Sequence, residues 1–125
     1  MENKIEGVSE NQPEHKAFDF EKNSAELSIS TDIYIKILSK AVGQTVGDLE
    51  FLDDALAQDD FVNAQNITHR LKGDYANMRI MSLSNSAKQM NDNIRSTPDK
   101  EIILSWLMKF KAAFKLLQEK LGAES

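Results

Sequence analysis

The chain has 125 residues, 41% of them hydrophobic, and 20 acidic against 15 basic side chains give it a formal charge of -5. That length suits one domain with one core, and the absence of cysteine excludes disulfides, thiolate nucleophiles and cysteine-ligated zinc. No Lys/Arg tract interleaved with aromatics is present to meet phosphates, and no apolar run is long enough for a secretory h-region or a membrane span, so neither nucleic acid nor membrane is an expected partner and the cytoplasm is the expected location.

Residues 1–16, ending Asn11-Gln12-Pro13-Glu14-His15-Lys16, carry almost no apolar content and read as a flexible tail or linker. Residues 17–122 form the expected domain, and 123–125 a short C-terminal tail. Phe18, Phe20, Ala25, Leu27 and Ile29 suit a brief helix packed on the end of the structure that follows. From Thr31 the spacing of Ile33, Ile37, Ala41, Thr45, Leu49, Leu52 and Leu56 predicts one long amphipathic helix, with Ser30 or Thr31 as N-cap. Gly43 and Gly47 interrupt it, each at a cost of roughly 1 kcal/mol against alanine, and a bend or close packing is expected there.

A second long helix follows the Asp59-Asp60 cap, with Phe61, Ala64, Thr68, Leu71, Tyr75 and Met78 on one face and a turn containing Arg79 and Ile80. A third starts near Ser82 with the stripe Leu83, Ala87, Met90 and Ile94. Thr97-Pro98-Asp99 reads as N-cap, N1 proline and first-turn acid of a fourth, whose apolar face is Ile103, Trp106 or Leu107, Phe110, Phe114, Leu117 and Leu121 and which Gly122 ends. Four apolar stripes joined by short connections predict an all-α, antiparallel up-and-down four-helix bundle with a short N-terminal helix.

Two histidines far apart in sequence make a poor start on a metal site, and none is expected. His15 lies in the polar tail with nothing nearby to orient it. His69 is different: at about 100° per residue it sits roughly 140° from the centre of its helix's apolar stripe, facing water. Lys72 and Gly73 follow at i+3 and i+4, so a cation and a residue without a side chain share its surface. A glycine in a helix interior costs stability, and one reason to keep it is that another molecule must come close. On these grounds alone, a plain surface helix and a docking or reacting site are equally supported.

Thr68-His69-Arg70-Leu71-Lys72-Gly73 closely resembles the His-x-x-Lys-Gly signature of histidine-containing phosphotransfer (HPt) domains. The similarity extends from about Phe18 to Leu121, through the Leu52/Leu56 helix end, Asp59-Asp60-Phe61, Ala76-Asn77-Met78 and Leu83. Two departures are Arg79, where many members have a glycine in the turn, and Asp74, in place of a usually small residue.

The resemblance implies a four-helix bundle with the histidine exposed on its second helix. It implies a carrier, not an enzyme: His69 would accept a phosphoryl group from the aspartyl phosphate of one receiver domain and pass it to another, in a two-component relay fed by an upstream hybrid histidine kinase. Lys72 would offset charge on the phosphoryl oxygens, Gly73 would leave room for the partner, and Gln65, Arg70 and Ala76 would border the contact. From the third helix, Asn91 is the candidate to hydrogen-bond the histidine, with Gln89 second and Arg95 an added phosphate contact. No cofactor is expected, the Mg²⁺ belonging to the receiver, and a monomer is the default. The chain has no Gly-rich nucleotide loop with which to phosphorylate itself. The alternative is a helical docking module that is never phosphorylated.

Overall fold

The computed structural model describes residues 18–124, and among them it contains five α-helices and no strand. They are α1 (Phe20–Glu26), α2 (Thr31–Ala57), α3 (Phe61–Asn77), α4 (Met81–Arg95) and α5 (Lys100–Glu124). The tail expected over residues 1–16, with His15, lies outside the described residues. No described helix is long and apolar enough to cross a membrane.

Four of the helices start on a side-chain cap that answers orphan backbone N–H groups. Asp19 accepts from Lys22 N, Ser30 from Ile33 N and Asp60 from Asn63 N. Asp99 accepts from Glu101 N at 3.1 Å and Ile102 N at 3.4 Å, so α5 is capped by Asp99 and not by Thr97 as its proline had suggested. Helix α4 begins at Met81 with no side-chain cap. Gly122 does not end α5, which runs on through the expected C-terminal tail to Glu124.

The ends of α1, α2 and α3 share one device. Ser28, Asp59 and Arg79 take left-handed φ values of 59°, 56° and 64°. In each case the next amide reaches back to a carbonyl of the last turn: Ile29 N to Ser24 O, Asp60 N to Ala55 O, and Ile80 N to Tyr75 O. These are Schellman closures made without glycine. The chain therefore turns sharply between α2 and α3 and between α3 and α4, which fixes where α3 lies.

One core runs through the helices, built on Leu38, Leu52, Leu56, Leu71, Leu83, Met90, Ile103, Phe110 and Leu117. The α2 stripe differs from expectation over its first half: Ile33 and Ile37 are 49% and 47% exposed, while Tyr34, Leu38 and Val42 are buried instead. The tyrosine decides the register. Its hydroxyl donates to Met78 O at 2.6 Å and accepts from Asn23 Nδ2 at 3.1 Å, tying α1, α2 and the end of α3 together. In α5 it is Leu107 that is buried and Trp106 only partly so. Gly43 and Gly47 lie within one continuous α2.

Helices α2 and α3, and likewise α3 and α4, run in opposite directions. Thr45 meets Tyr75 and Asp48 meets Arg70 across α2 and α3, while Gln65 meets Asn91 and Lys72 meets Ser84 across α3 and α4. Helix α5 packs against α4 and returns to α2, where Lys111 Nζ pairs with Asp53 at 2.9 Å.

Candidate functional site

Helix α3 carries the candidate site in its middle, where two neighbours hold it. On the α4 side, fully buried Asn91 donates through Nδ2 to Gln65 O at 3.0 Å and to Thr68 Oγ1 at 3.1 Å. Thr68 sends its own hydroxyl proton back along α3 to Ala64 O and Gln65 O. Lower down, Ser84 Oγ donates to Lys72 O at 2.9 Å. On the α2 side, Thr45 Oγ1 donates to Ala41 O, so the Tyr75 hydroxyl is the donor in its 2.6 Å bond to Thr45. Side chains of two flanking helices thus clamp the turns before and after His69.

His69 itself is exposed, as its angle from the apolar stripe predicted. Lys72 and Gly73, one turn on, are half-buried, with Ala76 half-buried a turn further and Gln65 exposed a turn before. These five lie along one open stripe of α3. A Cβ built on Gly73 would meet nothing within 4 Å. Nothing among the described residues therefore requires a glycine at that position, and the same holds for Gly43 and Gly47.

Two expected contacts are placed differently. Asn91 was the candidate to hydrogen-bond the imidazole, but its amide nitrogen is committed to Gln65 O and Thr68, because the α3–α4 packing draws it inside. Its Oδ1 is buried with no hydrogen-bond partner among the described residues. It holds the helix that holds the histidine. Arg70 turns toward α2, where it forms an ion pair with Asp48. There it helps line a groove of about 440 Å³ with Phe51, Asp54, Asp60 and Ile67, on a different face from His69. Gln89 is half-buried with its amide 3.4 Å from Asn85 Oδ1, and Arg95 is exposed at the end of α4.

The sequence reading missed Thr68 as the polar partner of Asn91, although a threonine and an asparagine in otherwise apolar stripes were the available signal. It also missed Lys88 and Asp92, which pair at 2.8 Å on the exposed face of α4. The Lys88 ammonium bonded to Asp92 holds its carboxyl below the usual carboxylate range, against slight desolvation, and Lys72 and Arg95 act in the same direction through space.

No protein-family model, no curated protein and no solved structure matches this chain. What the site offers is an exposed imidazole on a helix held by side chains of both neighbours, Lys72 one turn on, and a Gly73 position with nothing within 4 Å of an added Cβ among the described residues.

Proposed function

We propose that this chain is a histidine phosphotransfer protein, carrying a phosphoryl group on His69 between the aspartates of receiver domains in a cytoplasmic two-component relay. The observation that carries this reading is the exposed His69 with half-buried Lys72 and the open position of Gly73 one turn further along the same stripe. Opposed neighbouring helices, the return of α5 to α2 and the short α1 support an antiparallel up-and-down four-helix bundle with a short N-terminal helix.

A neutral imidazole carries a lone pair on one ring nitrogen and can attack phosphorus without a general base. The ammonium of Lys72, one turn on from His69, would offset charge on the phosphoryl oxygens, the main service protein groups render in this reaction. The clamps from Asn91, Ser84 and Thr45 keep α3 from yielding when a partner docks. Any Mg²⁺ would sit in the receiver's acidic site, and the chain acts as a carrier with no ATP site of its own.

Transfer from a radiolabelled phospho-receiver to wild type and to His69→Gln protein tests this directly. Acid-labile, alkali-stable label on wild type alone is expected. A second reading, a docking module that is never phosphorylated, is favoured by Phe51, 68% exposed at the edge of the α2–α3 groove. Binding of a receiver without label on wild type would select it.

A further inference from the structure

Helices α2 and α3 leave a groove open between them over the last turns of α2. Its floor is apolar, formed by the buried side chains of Ala55 and Ile67, and at its edge stands Phe51, the one exposed aromatic among the described residues. The α2 wall runs from Asp48 to Gln58, a length of about 15 Å at about 1.5 Å per residue. The facing wall of α3 lies roughly 100–160° around that helix from His69.

The rim is acidic. Asp48, Asp54 and Asp60 line the groove with Arg70 as the single cation, so three carboxylates and one guanidinium leave it a formal charge of -2. Two of the three are committed: Asp48 pairs with Arg70, and Asp60 accepts from Asn63 N and Nδ2 at the start of α3. Asp54 is exposed and forms no ion pair among the described residues. An apolar floor, an exposed aromatic and an unanswered carboxylate ask for a partner that is apolar on one side and positively charged beside it.

We propose that this groove docks a basic amphipathic helix of another protein, whose apolar face covers Phe51 and the Ala55–Ile67 floor and whose lysine or arginine pairs with Asp54. A third helix laid between two antiparallel ones continues the packing of the bundle. Burial around Phe51 supplies most of the affinity. The acidic rim sets the choice of partner, because an acidic helix meets like charge there, and it speeds encounter with a basic one. A partner held in the groove leaves the His69 stripe open, so the inference stands whether or not His69 carries a phosphoryl group.

The test titrates the ¹⁵N-labelled full chain with a synthetic helix of about four turns, leucine on one face and lysine on the other. Two controls are the same helix with glutamate for every lysine and a scramble of the first that has no apolar face. Amide shifts along the groove walls are expected with the lysine helix alone. Phe51→Ser is expected to weaken binding about tenfold or more, and Asp54→Lys about three- to tenfold at low salt, less in about 0.5 M salt. Asp92→Lys makes the same change of charge on α4 and should leave the affinity within about twofold. All three side chains are exposed, and the amide spectra report directly that the variants stay folded. No binding, equal binding of either control helix, equal weakening by Asp54→Lys and Asp92→Lys, or shifts confined to other helices would overturn the inference. So would groove signals that change with protein concentration before peptide is added, which assign the groove to a second copy, or NOEs from residues 1–17 to Phe51, which assign it to the chain's own N-terminus. Labelling of His69 is read separately and is untouched by any of these results.

Discussion

Gly73 and Tyr75 lie two residues apart on α3 and answer to different demands. A Cβ at Gly73 meets nothing in the fold, so Gly73→Ala is expected to stabilise the protein by roughly 0.5–1 kcal/mol through helix propensity. The same substitution should slow phosphoryl transfer by about tenfold or more, because a reacting centre held about an ångström off loses most of its advantage. Gly43→Ala, equally open in α2, is the control: thermal melts should rise for both variants, and transfer should fall only for Gly73→Ala. Tyr75 is set by burial, which pushes its hydroxyl up to about 12, with the Thr45 hydrogen bond pulling the other way. The folded value exceeds the unfolded one, so the unfolded chain releases this proton first as pH rises. Its contribution is complete below about pH 10 and lost by about pH 12, on the order of 2–3 kcal/mol. Urea melts across that range should show Tyr75→Phe losing stability less steeply than wild type, while starting about 1 kcal/mol lower at neutral pH for want of the Thr45 bond.

The helices as elements depend on ends and registers that lie partly outside the reach of periodicity. Asn91→Ala removes both amide bonds between α4 and the His69 turn of α3 and is expected to cost about 1–3 kcal/mol in chemical denaturation. Arg79 adopts φ 64°, the conformation a glycine takes without strain. Its ion pair with Glu26 at 3.4 Å is exposed and worth little. Arg79→Gly should therefore raise the melting temperature, a gain of up to about 1 kcal/mol. The four long helices were legible because Leu49, Leu52 and Leu56, or Leu83, Ala87, Met90 and Ile94, recur at helical spacing without competitors. The first half of α2 was not, since Ile33/Ile37 and Tyr34/Leu38 fit the same period equally well. What separates them is the Tyr34 hydroxyl reaching Met78 O and Asn23, contacts made 44 and 11 residues away. Helix ends were blurred for a local reason: Ser28, Asp59 and Arg79 close Schellman turns that glycine usually announces, while Gly122, which looks like a stop, lies inside α5.

For the whole molecule, the candidate site divides along the same line. His69, Lys72 and Gly73 were legible because their exposure follows from one helix's own geometry. The contacts of Asn91 and Arg70 were not legible because they depend on α4 and α2, which draw one inside to Gln65 O and Thr68 and bring the other to Asp48. The result is an exposed histidine on a helix clamped from both sides, with Lys72 one turn on, and the proposed carrier role asks for such a presentation. The most direct test is a pulse and chase: label the protein from a phospho-receiver, remove the donor, add an unphosphorylated receiver with Mg²⁺, and follow the label on both proteins. Label gained by this chain at His69 and then lost in step with its appearance on the second receiver is the expected result. A receiver that binds tightly yet leaves wild-type protein unlabelled throughout would contradict it.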